Sequence, residues 1–221
     1  MRKKKFVFGM GSGCCGTASL ALLLNSQPNA LVSHELAPIL TWDNRKGKDL
    51  MQFRYGQLDH QSHLYDLVGD VGLYYVSYIG FLMKSLTEVE VLRDGYDFKF
   101  VILKRDKDEV VSSFLKKFKR QNNNPLQNHG DPNLKTDEWD KAFPKYDRVD
   151  LETATGLYYD DYYKKSRSYE LLYPDNVKIF NTSDLNDENG VRSILEFVGV
   201  ENPNVVVGIK KNVTAEIEGV R

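Results

Sequence analysis

Phe6-Val-Phe-Gly-Met-Gly-Ser-Gly-Cys-Cys-Gly-Thr-Ala-Ser-Leu-Ala-Leu-Leu-Leu24 sets four glycines between a short apolar run and a leucine-rich segment. Phe6 to Phe8 reads as a strand, and Thr17 to Asn25 reads as a helix. Glycine reaches backbone angles that other residues avoid, so Gly11, Gly13 and Gly16 let successive N–H groups close on an anion. The helix that follows adds unpaired N–H donors and a partial positive charge at its N-terminus. Glycine content alone also fits an ordinary tight turn. The flanking strand and helix patterns favour an anion site.

The turn matches a nucleoside-triphosphate loop only in part. Gly11 and Gly16 have the G-x-x-x-x-G spacing, which should continue with Lys and then Ser or Thr. Here Thr17 and Ala18 follow. The lysine that neutralises a terminal phosphate is missing, and so is the hydroxyl that holds magnesium. A small-molecule kinase on this scaffold would need both.

Bulk properties narrow the function classes. A chain of 221 residues is read as one domain, 1–221, long enough to bury a sizeable core. With 30 Lys plus Arg against 31 Asp plus Glu, no global field favours nucleic acid or a membrane surface. Basic residues cluster only locally, at Arg2 to Lys5 and Lys116 to Arg120. The two cysteines, Cys14 and Cys15, are adjacent, cannot staple a fold, and suit a reducing, cytoplasmic setting. Arg2 to Lys5 before an apolar stretch imitates a secretory leader, but glycines interrupt the stretch and no small-x-small cleavage site follows. No window is long and apolar enough to cross a bilayer.

Further along, Ala30 to Glu35 reads as a second strand. If the strands are parallel, its polar end, His34 and Glu35, shares the ligand edge with the glycine loop. Residues 36–97 are poorly assigned. Within them, Leu64 to Leu86 has apolar residues near helical spacing and is expected to form one helix or two, broken near Gly69 or Gly72. Phe98 to Leu103 is a strand, Glu109 to Lys119 a helix, and 121–150 a long surface excursion, mobile or a lid. Leu151 to Leu172 reads as a tyrosine-rich helix, Val177 to Phe180 as a strand, and Asp187 to Val198 as a helix stopped by Gly199. Alternating strands and helices predict an α/β fold, a parallel sheet flanked by helices.

Three separated stretches together resemble the sulfotransferases that use 3′-phosphoadenosine 5′-phosphosulfate. Cys14-Cys-Gly-Thr-Ala18 occupies the place of that family's Arg- or Lys-Ser-Gly-Thr-Thr turn. Phe100-Val-Ile-Leu-Lys-Arg-Asp-Lys-Asp-Glu-Val-Val-Ser-Ser-Phe114 is similar to its apolar strand, Arg-Asp-Pro turn and helix, with Ser113 eight residues after Arg105. Val177-Lys-Ile-Phe-Asn-Thr-Ser-Asp-Leu185 and Ile194-Leu-Glu-Phe-Val-Gly-Val200 resemble its closing strand and helix.

The resemblance implies a P-loop NTPase-like three-layer sandwich. It also implies transfer of a sulfuryl group from the phosphosulfate co-substrate to a hydroxyl or amine of a small-molecule or glycan acceptor. Gly13, Cys14, Cys15, Gly16, Thr17 and Ala18 would cradle the phosphosulfate. Arg105 and Ser113 would hold the 3′-phosphate, with Lys210 and Lys211 as a loose match to a basic C-terminal loop. The base is implied near the end of the second strand, with Glu35 the first choice and His34 the second. Adjacent strand residues face opposite sides, so only one of the two is expected to face the donor. No metal, nucleic acid or membrane partner is implied. Two departures matter: Cys14 replaces a basic residue and Ala18 a hydroxyl. They leave a non-catalytic nucleotide-binding module as an alternative, with Lys104, Lys210 or Lys211 as other sources of charge.

Overall fold

The computed structural model describes residues 3–121, 124–127 and 139–209. Its centre is a five-stranded parallel sheet in the order β2-β3-β1-β4-β5. The strands are β1 (Lys4–Gly11), β2 (Ala30–His34), β3 (Leu67–Val71), β4 (Tyr96–Lys104) and β5 (Val177–Asn181). Helices α1 (Thr17–Asn25), α2 (Lys48–Gln61), α3 (Ile79–Glu88), α4 (Glu90–Gly95), α5 (Lys107–Gln121), α6 (Leu151–Leu172) and α7 (Glu188–Val198) connect and cover them. Parallel strands need crossovers, and helices on both faces leave the central strands buried on both sides.

The strand period of two divides the core. Phe6, Phe8 and Met10 of β1 point with Phe98, Phe100 and Ile102 of β4 into one apolar layer, under α2, α3, α5 and α6. Phe8 stacks on Phe100 with ring centroids 5.3 Å apart. Val7, Val101 and Leu103 point the other way, against α1 and α7. Two helical layers on a parallel sheet make the three-layer α/β sandwich of P-loop NTPase-like proteins, with the glycine loop after the central strand. No helix among the described residues is long and apolar enough to cross a membrane.

Leu64 to Leu86 differs from expectation. It contains strand β3, a 3₁₀ turn at Leu73–Ser77 and only then helix α3. All five β3 residues are buried. A strand covered on both faces shows no polar alternation, and Leu67, Val68 and Val71 happen to fall at helical intervals. Within 36–97, α2 carries a fully buried arginine, Arg54, on its core face. Of the expected excursion at 121–150, Leu126, Ala142 and Phe143 are buried in the larger core layer. Lys210 and Lys211 lie outside the described residues.

Candidate functional site

The turn after β1 is built from left-handed residues. Gly13 has φ 96°, Cys14 φ 53° and Gly16 φ 85°. Left-handed residues in a tight turn can aim neighbouring N–H groups into a concavity that takes an anion. Gly16 caps α1 with no side-chain hydrogen bond, so the first amides of the helix are left for a ligand. The carbonyls of Cys14 and Cys15 are occupied. Thr182 Oγ1 donates to the Cys15 carbonyl at 2.9 Å and approaches the Lys104 carbonyl at 3.3 Å. Arg105 Nη1 donates to the Cys14 carbonyl at 3.1 Å.

Gly13 is also confined by packing, since a Cβ placed there would lie 2.6 Å from Cζ of Phe114 on α5. Gly13→Ala combines that clash with a left-handed backbone. It is expected to destabilise the fold by about 1–3 kcal/mol, read from urea denaturation. An unchanged midpoint would show that α5 gives way.

Cys15 is a packing residue: it is buried, its sulfur lies against Gly11, and burial pushes its thiol up to about 12. Cys14 is half-buried, and burial raises its thiol as well, against the nearby positive charges of Lys117 and Arg105. Neither cysteine is an activated thiolate at neutral pH.

Arg105 stands at the carboxyl end of β4. Its Nε donates to Glu109 Oε2 at 2.6 Å rather than pairing with Asp106 or Asp108. Tyr159 of α6 donates its hydroxyl to the Arg105 carbonyl at 2.6 Å, and Tyr163 to the Leu103 carbonyl at 2.7 Å. The tyrosine-rich helix therefore fixes the height of this strand end. Beyond it opens a cavity of 780 Å³ at the ends of β4 and β5, walled by Lys104, Arg105, Tyr159, Asn181, Thr182 and Ser183, among others. Such a crevice outside the carboxyl ends of strands is where open α/β sheets take ligands. Ser113 does not line this cavity. It is half-buried on α5, one turn after Glu109 and next to Phe114.

His34 and Glu35 lie at the other end of this edge. His34 Nε2 is 3.3 Å from Thr17 Oγ1, which ties the end of β2 to the first turn of α1. Ala18 follows Thr17 in that turn. The expected alternation of His34 and Glu35 does not hold. Glu35 lies just beyond β2 with φ 56°, and its Oε2 comes within 3.8 Å of His34 Nδ1. Once the backbone leaves the extended region, successive side chains need not diverge. Burial raises the Glu35 carboxyl above the usual range, Lys117 opposes that rise, and Asp70 adds to it.

The structure thus joins the glycine loop to Arg105 on one side and to His34 and Glu35 on the other. The sequence marked Lys117 only as part of the basic cluster Lys116 to Arg120, and gave no role to Thr182 or to the buried network around Asp70. Thr182 had one visible signal, a hydroxyl residue directly after a strand at the ligand edge. Asp70 accepts from Arg54 Nη1 at 2.7 Å, from Tyr75 at 2.7 Å and from the Leu36 N–H at 3.1 Å. Arg54 also donates to the carbonyls of Leu36 and Pro38, the latter at 2.9 Å.

No known protein-family model matches the chain, and no curated protein matches it. Among solved structures it is similar to shikimate kinase from Bacteroides thetaiotaomicron, with a TM-score of 0.40 and 13% identity. That alignment covers 88% of this chain and 98% of the kinase. A likeness at this level does not extend to substrate or chemistry. The P-loop NTPase-like class rests on the sheet order and the position of the glycine loop.

Proposed function

We propose that this chain transfers a sulfuryl group from 3′-phosphoadenosine 5′-phosphosulfate to a hydroxyl or amine of a small-molecule or glycan acceptor. The observation that carries the reading is the reach of Arg105 from β4 to the Cys14 carbonyl, which sets a guanidinium beside an uncapped helix start. One adenylate with an anionic group at each end can then bridge the two. The loop amides take its 5′ end and Arg105 takes its 3′-phosphate, with Ser113 and the cavity at β4 and β5 completing the nucleotide side.

In the transfer, the acceptor oxygen or nitrogen attacks sulfur and the sulfur–oxygen bond to the 5′-phosphate breaks. The acceptor proton passes to the Glu35 carboxylate. A carboxylate with a raised pKa is a better base near neutral pH, and His34 at 3.8 Å is the second candidate. Amides held by the backbone meet the charge that develops on the leaving phosphate without reorganising.

A second reading, phosphoryl transfer by a small-molecule kinase, is favoured by the fold and by the Gly11-to-Gly16 spacing. The residues weigh against it. Position 17 is threonine rather than lysine, and its hydroxyl meets His34. The carboxylate beside the loop strand, Asp70, is already held by Arg54, Tyr75 and the Leu36 amide, which leaves it little capacity for a magnesium shell.

Titration with adenosine 3′,5′-bisphosphate tests the proposal. The wild-type chain should bind it saturably without magnesium, and Arg105→Ala should weaken binding by about 10- to 100-fold, the worth of a charged hydrogen-bond pair. Magnesium-dependent ATP binding in its place would establish the kinase reading. Tight bisphosphate binding with no transfer to any acceptor would leave a nucleotide-binding module.

A further inference from the structure

Glu35 holds a backbone conformation that its side chain disfavours. Its φ of 56° is left-handed, and a residue with a Cβ stays there only where its surroundings over-determine it. On its amino side the constraint is the sheet. The Glu35 N–H donates to the Val71 carbonyl at 2.9 Å, carrying the pairing of β2 with β3 one residue further. On its carboxyl side neither helix nor strand follows until α2 begins at Lys48. There the constraint comes from the core.

Leu36 is gripped by both of its main-chain polar groups. Its N–H donates to Asp70 Oδ1 at 3.1 Å, and its carbonyl accepts from Arg54 Nη2. The same Nη2 reaches the Pro38 carbonyl at 2.9 Å. Arg54 Nη1 and the Tyr75 hydroxyl each donate to Asp70 Oδ2 at 2.7 Å. The two ends of the guanidinium therefore have separate duties, Nη1 on the carboxylate and Nη2 on the chain. Both side chains of the pair are fully buried. As a source of net stability such a pair is no better than apolar residues of similar volume. Holding the main chain of Leu36 and Pro38 is a task that apolar residues could not perform, because N–H and C=O groups taken out of water need polar partners.

We propose that the Arg54–Asp70 pair is the positioning element for Glu35, fixing Leu36 and Pro38 so that the left-handed turn at residue 35 holds its carboxyl beside His34 at the glycine-loop edge. Being fully buried, Arg54 and Asp70 act through the main chain and touch neither nucleotide nor acceptor. The catalytic consequence rests on the reading of Glu35 as the base of sulfuryl transfer. Without the pair, the carboxyl loses the fixed geometry that proton abstraction from an acceptor requires.

The full chain, labelled with carbon-13 in its glutamates, tests this by following the Glu35 carboxyl through a pH titration, its signal assigned by its loss in Glu35→Gln. In wild type it should titrate above the usual carboxylate range, because burial raises it. Arg54→Lys can stay paired with Asp70, but one ammonium cannot also hold both carbonyls. In that variant Glu35 should titrate lower by about half a pH unit or more, as the carboxyl swings toward water. Tyr75→Phe removes one donor from Asp70 and should shift Glu35 the same way by less; it decides the question if Arg54→Lys does not fold. Neither variant changes a charge, so a shift reads a displaced carboxyl and not an altered field. Adenosine 3′,5′-bisphosphate affinity should stay within about threefold of wild type in both, since the glycine loop and Arg105 are untouched. Glu35 titrating as in wild type in the folded variants would overturn the positioning role and leave the sulfuryl-transfer reading standing. A bisphosphate affinity that falls together with the titration would mean that the pair props the whole site, and would overturn it too. No saturable bisphosphate binding by the wild-type chain would remove the sulfuryl-transfer reading, and with it the catalytic consequence, however Glu35 titrates.

Discussion

Arg54→Met is expected to cost about 3–5 kcal/mol of folding stability, seen as a large drop in the urea midpoint. Arg54 and Asp70 are both fully buried, and their 2.7 Å pair is the charged centre of a network that includes Tyr75. Removing the guanidinium leaves a carboxylate in the core with no counter-charge. It also orphans the carbonyls of Leu36 and Pro38, in the segment that follows Glu35. Replacing both partners together, Arg54→Met with Asp70→Leu, should recover part of the loss, because apolar groups of similar volume carry no desolvation cost. A single substitution that leaves the midpoint in place would mean that water reaches this site.

Under the proposed sulfuryl transfer with Glu35 as base, Glu35→Gln is expected to lower the transfer rate by about 100- to 10,000-fold while changing adenosine 3′,5′-bisphosphate binding little, since a general base acts on the acceptor proton and not on the nucleotide. The folded-state pKa of Glu35 lies above its unfolded value. Its contribution to stability is therefore fully present below the unfolded carboxyl pKa. It is lost as pH rises through the folded value. The rate should rise over the same range, as the carboxylate forms. Glu35→Gln should thus be no less stable than wild type at pH 7, and the two stability curves should diverge as pH climbs out of the acid range. Full activity in Glu35→Gln with loss in His34→Gln would move the base to His34.

Much of the site could be read from the chain because it depends on short-range geometry. A strand, glycines at spacing five and a leucine helix leave few conformations for residues 6–25. Arg105 follows directly from an apolar strand, so its place at the ligand edge comes with the strand. Strand β3 and helix α2 were hidden for opposite reasons. β3 is buried on both faces and shows no alternation to detect, while α2 buries an arginine where a periodicity search expects an apolar residue. Only the partner Asp70, 16 residues away, makes sense of that arginine.

By itself the sequence determined the α/β class, the glycine-lined turn after the first strand and the identity of the side chains at the strand ends, since these follow from local backbone preference and from the period of burial. Tertiary structure alone decided that Glu35 turns back to within 3.8 Å of His34, that Arg105 reaches across to Cys14, and that Phe114 of α5 packs over Gly13. The reason is that charge acts through space: which cation serves an anion site depends on how α5 packs over the loop, and no spacing along the chain records that distance.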